Sequence, residues 1–319
     1  MNTMIMSSFS AIIAGLIVLW FTGSKVVEYA LKVAYIFNVS TFFIGFVVLA
    51  VAADLPEITV AITSALRGVS EISVGDLVGA NFCDVAFVTG ITAMFAGVIN
   101  IAQQERRRLL LLLSSTTIIM LVAFTIGTLL WWHGIILIGI YVCSLITIWK
   151  QRYNCTTNLE NLYPNTLKTI STNEKWWLVL KLLFYLVILL STSSLIVYCI
   201  EIFAYGCGLS LGTIGATILA IGTSLPELSL SLNALRKKEY ALALGPTLGT
   251  VLEQCTLILG LLVILSKNPV DLTPMRGASV FMFIGFAIVI GSLMQKSIKR
   301  PVGVVLVSLF VCYLVYHFI

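Results

Sequence analysis

Twice in this chain an apolar run is interrupted by the triplet Leu-Pro-Glu. Residues 44 to 64 read IGFVVLAVAADLPEITVAITS, and residues 218 to 232 read ILAIGTSLPELSLSL. Pro56 and Pro226 are 170 residues apart. That offset, without a gap, also pairs Ile44 with Ile214, Gly45 with Gly215, Leu49 with Leu219, Gly75 with Gly245, Gly79 with Gly249 and Gly90 with Gly260. Such runs read as membrane helices, in which a carboxylate costs about 2.5–3.5 kcal/mol on insertion scales. Pro226 has no N–H, so the carbonyl of Gly222, four residues back, loses its helical partner. A freed carbonyl, the hydroxyls of Thr223 and Ser224 and the carboxylate of Glu227 then lie at one depth, and hard cations such as Na⁺ and Ca²⁺ bind through oxygens of this kind. Broken helices survive at membrane depth only where they line a cavity or are buried in protein. Two proline-broken, acidic segments in matching halves are the pattern of a transporter's substrate site.

Of the 319 residues, 59% are hydrophobic and 10% charged, against about 25% charged in soluble domains. The chain is therefore read as a polytopic membrane protein. Its net charge of +5 sits in short loops and does not point to nucleic acid. The N-terminal segment has no basic residue before Lys25, so it reads as a retained helix rather than a signal peptide. The seven cysteines read as small buried hydrophobes. With about 20 apolar residues per crossing, ten spans are expected, near 5–35, 41–67, 72–99, 109–130, 134–149, 177–204, 211–236, 240–265, 276–295 and 301–318. The loop at 150–176 divides them into five and five, giving a first repeat at 1–149, a cytoplasmic linker and a second repeat at 177–319. An odd number of spans per half inserts the halves upside down relative to each other, the inverted-repeat arrangement of many secondary transporters. With both termini outside, nearly all of the 19 Lys and Arg face the cytoplasm; Arg67, Lys267 and Arg276 remain outside.

The span after each bend carries a second polar motif, Gly75-Asp76-Leu77-Val78-Gly79-Ala80-Asn81-Phe82-Cys83-Asp84 in the first half and Gly245-Pro246-Thr247-Leu248-Gly249-Thr250-Val251-Leu252-Glu253-Gln254 in the second. Ala80 and Asp84 share a helix face, as do Thr250 and Gln254. Glycines let these helices pack against the broken ones, which would set Asp84 and Gln254 opposite Glu57 and Glu227 across a small cavity. Asp76 reads as a residue that caps or packs near the start of its helix, and His133 as part of an interfacial loop.

Over both repeats, about 45–90 and 215–260, the chain resembles the cation/calcium exchanger superfamily, whose best-known branch is the sodium/calcium exchangers. The family pattern is a GTSLPE-like motif followed by a GSN-x-x-(N/D)-like motif in each half. The resemblance implies an all-α protein of about ten transmembrane helices in two inverted five-helix repeats. It implies antiport of Ca²⁺ against Na⁺ across the plasma membrane, with Glu57 and Glu227 as central Ca²⁺ ligands. Thr223 and Ser224, with backbone carbonyls, would serve flanking Na⁺ positions, and Asp84 and Gln254 would complete the site. Ala53, Asp54, Thr250 and Glu253 are counted in the same metal-binding set. Ions and the lipid bilayer are the expected partners; no resident cofactor and no catalytic residue are expected, and the oligomeric state stays open.

The chain departs from that pattern where the first bend reads Ala52-Ala53-Asp54 in place of Gly-Thr-Ser, where Ala80 replaces serine, and where Gln254 is preceded by Glu253. Asp54, Glu57, Asp84 and Glu227, with Glu253 if it turns inward, cannot all stay ionised without cations nearby. Protons thus compete with Na⁺ as the coupling ion, and an H⁺-coupled Ca²⁺ or monovalent-cation antiporter is the alternative. A channel is more distant, because it usually needs an open pore and often oligomeric symmetry, whereas here the acids come from both halves of one chain. An intramembrane aspartyl protease is more distant because it does not explain the matched Leu-Pro-Glu triplets. No Walker motif supports an ATP-driven pump.

Overall fold

The computed structural model describes residues 2–36, 54–100, 103–150, 172–236 and 240–318. Helices dominate because a backbone in lipid must satisfy its own hydrogen bonds. In chain order these are α1 (Asn2–Ile36), α2 (Leu55–Arg67), α3 (Ser70–Phe82), a π-helical turn (Cys83–Val88), α4 (Thr89–Ala96), α5 (Gln103–Ile126) and α6 (Trp131–Lys150). The second half repeats the order: α7 (Thr172–Cys207), α8 (Leu211–Ile214), a π turn (Gly215–Leu219), α9 (Ala220–Thr223), α10 (Leu225–Arg236), α11 (Tyr240–Glu253), a π turn (Gln254–Ile258), α12 (Leu259–Leu265), α13 (Arg276–Met294) and α14 (Arg300–Phe318).

Among the described residues, 7 helical stretches are long and apolar enough to cross a membrane, and Trp131–Thr147 and Leu211–Thr223 are shorter apolar helices. The expected second span, 41–67, is described only from Asp54 onward; its first part lies outside the described residues. The chain is thus an all-α polytopic membrane protein whose spans follow the expected order. Some ends differ. Gly127, at φ 81°, stops α5 short of the expected 130, since glycine alone takes this conformation without cost. His133 lies in the first turn of α6, not in a loop; its Nδ1 accepts the backbone N–H of Leu130 at 2.9 Å. Helices α1 and α7, of 35 and 36 residues, are about 50 Å long at 1.5 Å per residue. A hydrocarbon core is about 30 Å thick, so they tilt or project beyond it, as their sequence length suggests. They pack on each other through Ile12, Leu16 and Leu19 of α1 and Leu189, Ile196 and Ile200 of α7.

The halves are joined reciprocally. Strand β1 (Val98–Asn100) of the first half pairs with β4 (Ser297–Lys299) of the second, and β2 (Thr128–Leu129) pairs with β3 (Val270–Asp271), both antiparallel. The helices show the same exchange. A side chain at Gly90 of α4 would come within 3.0 Å of the Gly303 carbonyl on α14, and one at Gly260 of α12 would meet the Gly134 carbonyl on α6 at the same 3.0 Å. Each half thus lends its third span to the other half's fifth, the relation a pseudo-two-fold axis produces. The common core runs through Phe82, Leu113, Leu248, Ile258, Phe286 and Tyr313.

Candidate functional site

Both bends fold alike. Asp54, just before α2, has φ −85° and ψ 9°; Ser224, its counterpart between α9 and α10, has φ −82° and ψ 3°. The helix resumes immediately, with Ile58 N–H donating to the Asp54 carbonyl at 2.9 Å and Leu228 N–H to the Ser224 carbonyl at 3.2 Å. Glu57 and Glu227 therefore occupy the first turns of α2 and α10, where the helix dipole favours negative charge. The Asp54 side chain makes no capping bond and stays available to other partners.

The helix of the second motif faces these bends. The π turns beginning at Cys83 and Gln254 hold Asp84 and Gln254 at matching places. A π turn widens the helix and re-aims its side chains, and is frequent at functional sites. Gln254 Nε2 donates to Asp84 Oδ2 at 3.2 Å, so two residues related by the repeat offset of 170 bond to each other at the junction of the halves. Cys255 Sγ donates to Asn81 Oδ1 at 3.3 Å, and Asn81 Nδ2 to the Leu77 carbonyl at 2.6 Å. Tyr313 on α14 donates to the Ala216 carbonyl at 2.9 Å and braces the π turn before the second bend.

The structure collects Asp54, Glu57, Asp76, Asp84, Glu227 and Glu253 in the interior, none more than 2% exposed. Asp54 has Glu253, Glu57, Glu227 and Asp84 as acidic neighbours, and Glu57 has Glu227, Asp76 and Asp84. Both carboxylate oxygens of Asp54, Glu57 and Glu227 lack a hydrogen-bond partner, as does one oxygen each of Asp76, Asp84 and Glu253. Ser224 Oγ is also without one, although it stands beside Asp84, as does Thr250. Leaving one buried polar group unsatisfied costs about 1–3 kcal/mol, and more for a charge. No Lys, Arg or His is buried among the described residues. Among the described residues the cluster therefore has no buried basic side chain to balance it.

Of the residues expected from sequence, Glu57, Asp54, Asp84, Glu227, Glu253, Gln254, Thr223, Ser224 and Thr250 are buried and brought together. Ala53 lies outside the described residues. Thr250 donates to the Thr247 carbonyl at 2.9 Å and keeps its lone pairs. Asp84 and Gln254, expected opposite Glu57 and Glu227, also bond directly to each other. The reading of Asp76 is corrected. The residue lies mid-helix, 1% exposed, and accepts a hydrogen bond from Thr223 Oγ1 at 3.2 Å. Its identity as an acid one turn before Ala80 was the available signal. Tyr141 of α6, buried beside Glu253, was not singled out, because nothing in an apolar span marks a tyrosine that faces the centre. Among the described residues, no three His, Cys, Asp or Glu side chains already converge as a metal cage.

The sequence profile of the family described as "Sodium/calcium exchanger protein" matches twice, at residues 7–150 and 176–319. The putative antiporter CaxA of Alkalimonas amylolytica is 29% identical over 310 residues, covering 95% of this chain and 96% of that protein. The crystal structure of the H⁺/Ca²⁺ exchanger CAX superposes with a TM-score of 0.80 at 14% identity, over 97% of this chain and 82% of that one. A structure of the sodium-calcium exchanger NCX_Mj, soaked with Na⁺ and Sr²⁺, gives 0.64 at 22% identity over 98% of each chain. At these identities the two structures speak for the fold.

Proposed function

Because the chain belongs to the sodium/calcium exchanger protein family, we propose that it is a secondary antiporter that moves Ca²⁺ against Na⁺ by alternating access. The observation that carries this reading is a buried set of carboxylates, drawn from both halves, with unpartnered oxygens and, among the described residues, no buried Lys, Arg or His. Charges removed from water are tolerated only with partners; here the partners are the ions carried. Glu57 and Glu227 take Ca²⁺ between the two bends. Asp54, Asp84, Gln254 and Glu253 complete the first coordination sphere, and Thr223, Ser224, Thr250 and the Ala53 carbonyl add neutral oxygens. Hard cations take such mixed oxygen sets. The ligands sit on helices of opposite halves, so their sphere closes and opens as the halves rock. This fits acids that are buried together without a preformed cage.

The unit of function is the pair of five-span repeats, 1–149 and 177–319, joined by the linker at 150–176. The positive-inside rule supports an orientation with both termini outside, and the plasma membrane is the location that goes with the antiport reading. A second reading, coupling to H⁺, is favoured by Asp54, a carboxylate where its counterpart Ser224 offers a hydroxyl. Ca²⁺ uptake into proteoliposomes with one gradient at a time separates the two. Uptake driven by an outward Na⁺ gradient is expected; uptake driven by ΔpH with no Na⁺ on either side overturns Na⁺ coupling.

A further inference from the structure

The end of the bundle that bears β1 and β4 gathers basic residues from both halves, away from the ion centre. Arg106-Arg107-Arg108 lies in the opening turns of α5, Lys296 stands just before β4, Lys299 ends that strand and Arg300 opens α14. The strand pair brings them together: α5 begins just after β1, and Arg300 N–H donates to the Gly97 carbonyl at 2.7 Å. Side chains alternate between the faces of a strand. Ile99 and Ile298, register partners, are 0% exposed, so the adjoining pair, Val98 and Lys299, faces away from the core. Arg107, Lys296, Lys299 and Arg300 are exposed. Among the described residues none of these four pairs with an acid; the ion pairs there are Lys25–Glu28, Lys32–Glu28 and Arg67–Glu201. Apolar side chains rim the same end. Phe95 near the end of α4 is 76% exposed, Met294 at the end of α13 is 69% exposed, and Val304 on α14 is exposed too.

The repeat does not call for this patch. At the matching β2–β3 end the outward strand residue is the acid Asp271. The counterparts of Arg107, Arg108, Lys299 and Arg300 at the repeat offset are Gly277, Ala278, Leu129 and Leu130. Arg276, the counterpart of Arg106, turns to the Phe124 carbonyl.

We infer that the β1–β4 end binds an anionic phospholipid, its phosphate among Arg107, Lys299 and Arg300 and its acyl chains along Phe95, Met294 and Val304. Guanidinium groups hold phosphate oxygens through paired, charge-assisted hydrogen bonds. A free phosphate would use the charges and leave the apolar rim bare; a zwitterionic lipid would cover the rim and bring no net charge. An anionic lipid matches both. Because its ligands come from α5 and from β4 and α14, the headgroup ties the first half to the second at the strand pair. In the orientation proposed above this end is cytoplasmic, the side on which anionic lipids attract basic segments. The site does not depend on which ion the centre carries.

Native mass spectrometry of the full chain in detergent tests it, with phosphatidylglycerol titrated against phosphatidylcholine of the same acyl chains. The wild type is expected to retain phosphatidylglycerol at concentrations where phosphatidylcholine is lost. In the double variant Arg107→Gln, Lys299→Gln the half-saturating phosphatidylglycerol concentration should rise about tenfold or more, equivalent to about 1.4 kcal/mol. Arg300→Gln should shift it in the same direction, and it serves if the double variant does not insert. Lys299→Arg, which keeps the charge, should stay within threefold of wild type, as should Lys175→Gln, Lys181→Gln, which removes two charges from the start of α7. Equal retention of both lipids overturns the site. So does an equal loss in the α7 variant, which would make the attraction one of net charge alone. Displacement of the lipid by excess inorganic phosphate would make the patch a free-anion site and overturn the lipid as its occupant.

Discussion

At the first bend the residue with ψ near zero is Asp54, and at the second it is Ser224; their backbone angles agree within a few degrees. On the helices opposite, Asp84 and Gln254 stand at matching π turns. The first half brings Asp54, Glu57, Asp76 and Asp84, while the second brings Glu227 and Glu253 with the hydroxyls of Thr223, Ser224 and Thr250. The backbone thus repeats and the donor set does not. The bend is set by Pro-Glu and by a helix that restarts one residue earlier, and it is indifferent to whether a carboxylate or a hydroxyl precedes the triplet. The skeleton repeats while the side chains diverge, so the two bends offer different oxygens at matching places.

The largest test asks where the halves must remain alike. Glu57→Gln and Glu227→Gln each remove a charge from the shared centre, and neither triplet holds a spare. Each should abolish Ca²⁺ flux, by about a hundredfold or more, in protein that still inserts and elutes normally. At 1.36 kcal/mol per tenfold this corresponds to about 3 kcal/mol, within the range for losing a charged ligand. Near-normal flux from both would remove them from the site.

A smaller effect is expected where the halves differ. Asp54→Ser makes the first bend resemble the second. If Na⁺ is the coupling ion, Na⁺-driven Ca²⁺ uptake persists within a fewfold of wild type; if H⁺ is, uptake uncouples from a pH gradient and its pH dependence flattens. Smaller again is the contact on the axis. Gln254→Leu removes the donor to Asp84 Oδ2 and should weaken Ca²⁺ binding about tenfold, since a hydrogen bond to a charged group contributes about 1.5–3 kcal/mol. An unchanged Ca²⁺ titration would show that the Gln254 amide only packs.

The long apolar spans and the paired bends were legible because lipid imposes length and apolarity on every crossing and because proline leaves the same mark twice. Glu57 and Glu227 stood out as acids within apolar runs. What sequence could not supply was the facing of side chains across the junction. Asp76 reads as a helix-start residue until Gly75 and Gly215 bring α3 against the turn that carries Thr223. Glu253 is buried at the end of α11, and from Gln254 onward a π turn shifts the 3.6-residue periodicity on which face assignments depend.

The last difference lies outside the ion centre. Tyr313, 0% exposed, donates its hydroxyl to the Ala216 carbonyl in the π turn before the second bend. The residue at the same offset in the first half is Cys143 on α6, which is exposed. The sequence thus supplies a tyrosine hydroxyl for the second bend and none at the matching position of the first half. In Tyr313→Phe the ring still packs against Phe82 and Phe310, so little apolar contact is lost. What is lost is one buried hydrogen bond, about 1 kcal/mol. The variant should melt a few degrees lower while its half-saturating Ca²⁺ concentration stays within twofold of wild type. If Tyr313 only braces the turn, stability moves and affinity does not. A matching drop in Ca²⁺ affinity would mean that the set of the second bend is tuned by this bond, and that the asymmetry between the halves extends into the scaffold.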